Sequence, residues 1–319
     1  PMKIFITGVA GFIGSHLAER LVQLGHDVTG VDCLTNYYSR DLKLLNLAQV
    51  EACGVSVQRL DLAEDDVTAL LQDVDYIFHL AAQPGISAST PFGDYERNNI
   101  LATYRLLEAS KKVNNLRGFI NVATSSVYGA DATNDETFEP KPTSYYGVTK
   151  LAAEQLVLAS ARDSGFPACS LRLFSVYGPR ERPEKLYPKL IHALLADKAF
   201  PLHEGSEKHL RSYTYIDDII KGFVAVMNSI DKCHGEIFNI GTDTAITTGE
   251  AITIVEEILD KKAVIEVKPK RPGDQLKTHT NIEKARHLLG YEPKVSPREG
   301  LGKAVDWYRT QVFGKIDIY

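Results

Sequence analysis

Short apolar runs recur along the chain at intervals that leave room for one helix between each pair. Strand-like runs fall near residues 3–7, 28–32, 55–60, 75–80, 117–123 and 168–174, and helix-like periodicity near 12–24, 40–52, 64–72, 97–112 and 144–163. Such alternation predicts an α/β fold: a doubly wound parallel sheet, covered on both faces and joined by right-handed crossovers. Beyond residue 175 the texture changes. Pro179, Pro183, Pro188 and Pro201 interrupt the chain; a helix-like run (Ile216 to Met227) and a strand-like run (Glu236 to Ile240) then read as a return to the main sheet. The expected organisation is a large domain over 1–175, with 213–241 returning to it. A smaller lobe is expected over 176–212 and 242–319. Two helices are apolar on more than one side, through Ile100, Leu101, Leu106 and Leu107, and through Leu151, Ala152, Ala153, Leu156, Val157, Leu158 and Ala159. One stripe suffices to pack on a sheet, so the surplus predicts a second covered face. A symmetric four-helix contact with a second copy would cover it, as would deeper burial.

The first strand runs directly into Gly8, Gly11 and Gly14, spaced by three where the first helix begins. Glycines there allow the tight turn, the approach of backbone to a pyrophosphate, and close helix–strand packing. The helix N-terminus then holds the phosphate charge. Asp32 follows Gly14 by 18 residues, ending the second strand, where a carboxylate accepts hydrogen bonds from an adenosine ribose. The large domain therefore reads as a Rossmann domain. Asp32 would repel a 2′-phosphate, and Cys33 and Leu34 offer no arginine to neutralise one, which favours NAD over NADP. Asp61 ends the third strand, where it could reach the adenine amino group, cap the helix expected near Ala63, or do both.

At 319 residues the chain can hold a nucleotide domain of about 200 residues and a second lobe. Its net charge of −5, without a basic stretch, argues against nucleic acid as a partner. Cys33, Cys53, Cys169 and Cys233 are scattered with no Cys-x-x-Cys pair, which argues for reduced thiols in a cytoplasmic setting and against structural zinc. The histidines show no metal-ligand spacing, so no metal is expected. No apolar run reaches membrane-spanning length, so no membrane partner is expected.

Tyr146 and Lys150 stand four residues apart at the start of a long helix, which places phenol and ammonium on one face. A tyrosine has a pKa of about 10, so a base working near neutrality needs it lowered by roughly 3 units, about 4 kcal/mol. A nearby lysine and a positively charged nicotinamide ring could together supply that shift. Thr124 lies in the segment Ala123-Thr124-Ser125-Ser126 at the end of the fifth strand, where ligands bind in doubly wound sheets. Its hydroxyl could bond both the reacting sugar oxygen and Tyr146, or could simply close a polar loop.

These motifs, together with His79-Leu80-Ala81-Ala82, Arg172-Leu173-Phe174-Ser175-Val176-Tyr177-Gly178-Pro179 and Arg271-Pro272-Gly273-Asp274, span essentially the whole chain. In them the chain resembles the extended short-chain dehydrogenases/reductases of the nucleotide-sugar epimerase/dehydratase family. The resemblance implies Thr124, Tyr146 and Lys150 as catalytic residues. It implies NAD bound by Gly8, Gly11, Phe12, Ile13, Gly14, Asp32, Asp61, Leu62, Leu80, Ala81, Ala82, Asn99, Tyr146, Lys150 and Val176. For the sugar nucleotide it implies Gly85, Ser87, Thr124, Ser126, Tyr146, Ser175, Arg182, Leu202, His203, Arg211, Arg271 and Asp274. Among these, Arg211 and Arg271 would clamp the diphosphate, and Asp274 would accept from the nucleotide ribose. Arg182 is a candidate for a sugar carboxylate or phosphate, and His203 would line the base.

Relatives that dehydrate the sugar carry an Asp-Glu pair after the catalytic threonine, and those that decarboxylate keep a Glu at the second place. This chain has Ser125 and Ser126. Reversible oxidation survives without the acid, so the resemblance implies a UDP-sugar 4-epimerase with tightly held NAD. Ser175 and the segment Gly178-Pro179-Arg180-Glu181-Arg182-Pro183 resemble the glucuronate group, whereas Ser87 stands where that group carries Arg. UDP-glucuronate and UDP-galacturonate lead. UDP-glucose or UDP-N-acetylglucosamine epimerisation, a nucleotide-sugar reductase or decarboxylase, and an NAD-sensing regulator on the same fold are the alternatives. A pure sensor has no need of the Thr124–Tyr146–Lys150 set.

Overall fold

The computed structural model describes residues 1–35, 37–270 and 278–318. Its centre is a seven-stranded sheet built from β1 (Lys3–Thr7), β2 (Asp27–Asp32), β3 (Ser56–Arg59), β4 (Tyr76–His79), β5 (Gly118–Thr124), β6 (Ala168–Leu173) and β7 (Ile237–Ile240). The order is β7-β6-β5-β4-β1-β2-β3, and every neighbouring pair is parallel. The reversal beside β1 opens a crevice beyond the carboxyl ends of β1 and β4, where ligands bind in such sheets.

The strands are apolar on both sides because helices cover both faces. Ile4 and Ile6 of β1 join one core, with Leu17 and Leu21 of helix α1 (Phe12–Gln23), Leu42 and Val50 of α2 (Arg40–Ala52), and, from a later helix, Ile219 and Phe223. Phe5, one residue out of phase, joins Ile77 and Phe119 in the opposite core. That core is closed by Leu106 and Leu107 of α3 and Val157 of α4. Helix α3 is α-helical over Phe92–Tyr95, widens into a π-turn over Glu96–Leu101, and is α-helical again over Ala102–Ser110. Helix α4 (Tyr145–Ser164) starts where the Ser144 hydroxyl accepts from the Gly147 amide at 3.0 Å, and ends at Gly165 in the left-handed region.

After β6 the chain adds α5 (Leu186–Leu195), α6 (Ile216–Asn228), α7 (Thr248–Leu259), α8 (Glu283–Leu289) and α9 (Pro297–Trp307). Helix α6 carries the Ile219 and Phe223 that join the core of Ile4 and Ile6. Buried Asp218 of α6 accepts from the amides of Lys294 and Val295 at 3.0 and 2.9 Å, tying the segment ahead of α9 to α6. Short strand pairs stand apart from the central sheet, Ala199–His203 with Val264–Lys268 and Leu210–Arg211 with Ile246–Thr247.

Two elements depart from expectation. The helix expected over 64–72 is only a 3₁₀ turn at Thr68–Leu71, because Asp61 and Asp66 bond the amides of Ala63 and Thr68 and close the chain into tight turns. Helix α3 begins at Phe92, ahead of the expected 97, and its π-turn changes the exposed face in mid-helix.

Candidate active site

A cleft of about 600 Å³ runs across the carboxyl ends of the strands. At one end the glycine turn lies against β2, the amides of Gly8 and Val9 donating to the Val31 carbonyl at 2.9 and 3.3 Å. A Cβ on Gly14 would overlap the Gly8 carbonyl oxygen, so only glycine lets α1 start this close to the turn. No side chain caps α1, and its first residues Phe12 and Ile13 line the cleft, leaving the dipole end open to an anion. The Asp32 carboxylate accepts from Ala10 at 3.0 Å and from Leu34 at 2.8 Å, so it also braces the turn. Each oxygen keeps a lone pair, and the residue faces the cleft. Asp61 serves as a cap for Ala63 and pairs with Arg97 at 2.7 Å while still lining the cleft.

At the other end Thr124 closes β5. Its Oγ1 accepts from the Ser126 amide at 3.1 Å, and Tyr146 and Lys150 line the cleft with it. Gly147, next to Tyr146, permits this approach, since a Cβ there would meet the Ser126 carbonyl at 2.7 Å. Lys150 donates to the Val122 carbonyl at 2.7 Å. Burial pulls its pKa down to about 8, opposed by the charge of Glu154. Burial also raises the Tyr146 pKa above its ordinary value, opposed by the Thr124 hydrogen bond and the Arg182 charge. The chain without nicotinamide therefore holds this tyrosine above its ordinary pKa, and the downward shift expected from lysine and nicotinamide acting together belongs to the cofactor-bound site. Desolvation dominates, and the ammonium is aimed at a carbonyl rather than at the phenol.

Gly85, Ser126, Ser175 and Arg182 also face the cleft. Arg182 stacks over the Tyr37 ring at 5.8 Å. Its Nη1 lies 3.2 Å from the Glu184 carboxylate but out of line for a hydrogen bond, which leaves a buried donor for an anionic ligand. Gly8, Gly11, Leu62, Leu80, Ala81, Ala82 and Val176 line the cleft as well. Five expected residues do not. Asn99 turns inward, accepting from the Gln83 amide at 2.7 Å and donating to Thr149 at 3.0 Å, because the π-turn presents Asn98 to the cleft instead. Ser87 bonds Ser89 on the loop surface. Leu202 lies on the small-lobe strand pair, and His203 beside it bonds the Pro269 carbonyl. Arg211 folds back onto the Leu210 carbonyl and His209. Arg271 and Asp274 lie outside the described residues.

The model of the NAD dependent epimerase/dehydratase family matches residues 4–241, well over half of the chain. The chain belongs to that family. Over 98% of its length it is 38% identical to the whole of "Uncharacterized UDP-glucose epimerase YtcB" of Bacillus subtilis (strain 168). It is 32% identical to UDP-glucuronate 4-epimerase 2 of Arabidopsis thaliana, over 96% of this chain and 76% of that protein. Among solved structures, UDP-glucuronic acid 4-epimerase from Bacillus cereus in complex with UDP-glucuronic acid and NAD superposes with a TM-score of 0.90 at 38% identity. That match covers 97% of this chain and 99% of the other.

The family's cofactor fits the residues present: an uncapped helix start, a turn in which a Cβ would fill the phosphate cradle, and an acid at the end of β2. Several cleft residues were not legible from spacing. Lys43, a buried residue of α2, bonds the Thr35 hydroxyl at 2.9 Å, lies 4.7 Å over the Tyr38 ring, and puts its charge beside Asp32. Glu181, Lys185, Tyr187 and Tyr213 line the cleft as well. The Glu181 carboxyl is pushed up to about 8 by burial, against the charge of Lys185. Its neighbours in the Gly178–Arg182 segment offered a signal, but nothing in the sequence says which of them turn inward.

Proposed function

We propose that this member of the family is an NAD-dependent UDP-sugar 4-epimerase interconverting UDP-glucuronate and UDP-galacturonate. The observation that carries the reading is the convergence of Thr124, Tyr146 and Lys150 on one cleft at the end of β5, with serines at 125 and 126 where an acid pair would drive elimination. The 38% identity to the Bacillus cereus enzyme supports it. NAD held by the glycine turn and Asp32 would accept hydrogen from the sugar carbon and return it, so no external oxidant is consumed. Tyr146 takes the proton of the sugar 4-hydroxyl and gives it back, and Thr124 holds the same oxygen. Ser175 is small and leaves room for the 4-keto sugar to turn over. Arg182 supplies a cation for the sugar carboxylate. Arg211, Arg271 and Asp274 are assigned to the diphosphate and nucleotide ribose, and residues 176–212 and 242–319 to the lobe that binds them.

Two exposed helices support a homodimer. Phe92 of α3 packs edge-on against Tyr145 of α4 at 5.3 Å, and Leu101 and Tyr104 of α3 and Val148 of α4 are exposed apolar side chains on the same two helices. A four-helix contact with a second copy would cover them. No described helix is long and apolar enough to cross a membrane. The four cysteines are free thiols, which fits a cytoplasmic enzyme.

The relationship to the Bacillus subtilis protein favours UDP-glucose as the second reading. Parallel kcat/KM measurements with UDP-glucuronate and UDP-glucose separate the two. The proposal expects the acidic sugar to be preferred by about tenfold or more, the worth of one charge-assisted contact. A preference for UDP-glucose would favour the second reading.

A further inference from the structure

One turn beyond Lys150 on α4, Glu154 is wholly buried, and the chemistry above makes no use of it. A carboxylate at that depth needs partners, and β6 provides them. Arg172 donates to it from Nε at 3.1 Å and from Nη2 at 2.7 Å, and the Ser170 hydroxyl donates at 2.8 Å. Arg172 is equally buried. Its guanidinium lies 4.8 Å over the Tyr128 ring, and Tyr128 donates to Asn239 of β7 at 2.7 Å. Three charges therefore follow one another through the dry layer between α4 and the sheet: Lys150, Glu154, Arg172. Desolvating an ion pair costs about as much as its attraction returns, so stability alone is a weak reason for this arrangement.

Lys150 gives the reason. Among the described residues its hydrogen-bond acceptor is the Val122 carbonyl, and a neutral acceptor does little to keep an ammonium ion charged once water is removed. The groups facing it from neighbouring elements offer no help. Tyr146, one turn earlier, is a neutral phenol; His79 of β4 is kept neutral by burial, with its pKa lowered to about 3; Arg172 of β6 carries the same sign. Glu154, buried on the same helix four residues on, puts a negative charge one turn from the amine and opposes the pull of burial.

We propose that Glu154 is a positioning residue for the catalytic pair: anchored by Arg172 and Ser170 of β6, its carboxylate keeps Lys150 in the ammonium form that Tyr146 needs. The catalytic meaning of this inference rests on the epimerase reading, but its first test does not. In protein labelled with ¹³C at lysine Cε, the Lys150 resonance, assigned by its loss in Lys150→Met, is followed by NMR as a function of pH. Glu154→Gln is expected to move its titration midpoint down by about one unit or more. The pair variant Glu154→Gln/Arg172→Gln removes both members of the ion pair, so neither is left buried without the other. It is expected to fold and to shift the midpoint in the same direction by less. Glu154→Asp keeps the charge and restores the midpoint. The alkaline limb of kcat/KM should move with the NMR midpoint. A purely structural role would lower the melting temperature and leave the midpoint in place. A midpoint unmoved to within about 0.3 unit in either folded variant overturns the proposal. Absence of 4-epimerase activity in the wild type would overturn the functional reading instead, and the NMR result would stand.

Discussion

Tyr146 is the group on which the chemistry turns, and burial works against it, raising the pKa of the very phenol that has to give up a proton. Tyr146→Phe should therefore keep the fold and NAD binding while kcat falls by about 10²–10⁴, the usual worth of a general base. A near-normal kcat would remove Tyr146 from that role. Asp32→Ala should weaken NAD binding by about tenfold or more, since it removes both a ribose acceptor and the brace on the Ala10 amide. Calorimetric titration reads it, and an unchanged Kd would count against the assignment. Glu181 gives a pH test. Its folded pKa, about 8, lies well above the ordinary carboxylate range, so between the two the folded chain holds a proton that the unfolded chain has already released. Stability should fall as pH rises through that window, by ~1–4 kcal/mol between pH 5 and pH 8, and Glu181→Gln should flatten the fall. Denaturant unfolding at the two pH values measures it; an equal slope in both proteins would exclude Glu181. Asp32, Thr124 and Tyr146 were legible in the sequence because each sits at a fixed offset from a strand end or along a helix. Lys43 was not, because only the return of α2 beneath β2 brings it to Asp32.

At the scale of elements, alternating apolar strands and amphipathic helices were readable because a sheet buried on both faces leaves an unbroken apolar signature. The π-turn in α3 was not. It preserves the composition of a helix but alters its phase, so Asn98 and Asn99 exchange the inward and cleft-facing places that a regular period would assign. The close contacts of the cleft make a sharper prediction. Gly14→Ala should leave a folded protein whose NAD affinity drops by at least roughly tenfold, because the added Cβ must displace the Gly8 carbonyl from the phosphate turn. Unaltered affinity would mean that this turn does not hold the cofactor.

For the whole molecule, the part of the chain after β6 that stands outside the central sheet was the least legible, since its short strand pairs and loops depend on tertiary packing rather than on local periodicity. Arg211 illustrates the point: its guanidinium folds onto the Leu210 carbonyl and His209, a placement that no local pattern announces. The exposed face of α3 and α4 carries a prediction of assembly. Tyr104→Glu combined with Val148→Glu should convert a dimer to a monomer by light scattering, and a wild-type mass that is already monomeric would discard that face. The central claim is reversible oxidation at one sugar carbon with the same hydrogen returned. Its most direct test is incubation of the purified protein with UDP-glucuronate deuterated at C4, without added NAD, followed by proton NMR and mass analysis of the product. The account predicts UDP-galacturonate with the deuterium retained at C4; deuterium washed into solvent, or a product lacking the C6 carboxylate, would contradict it.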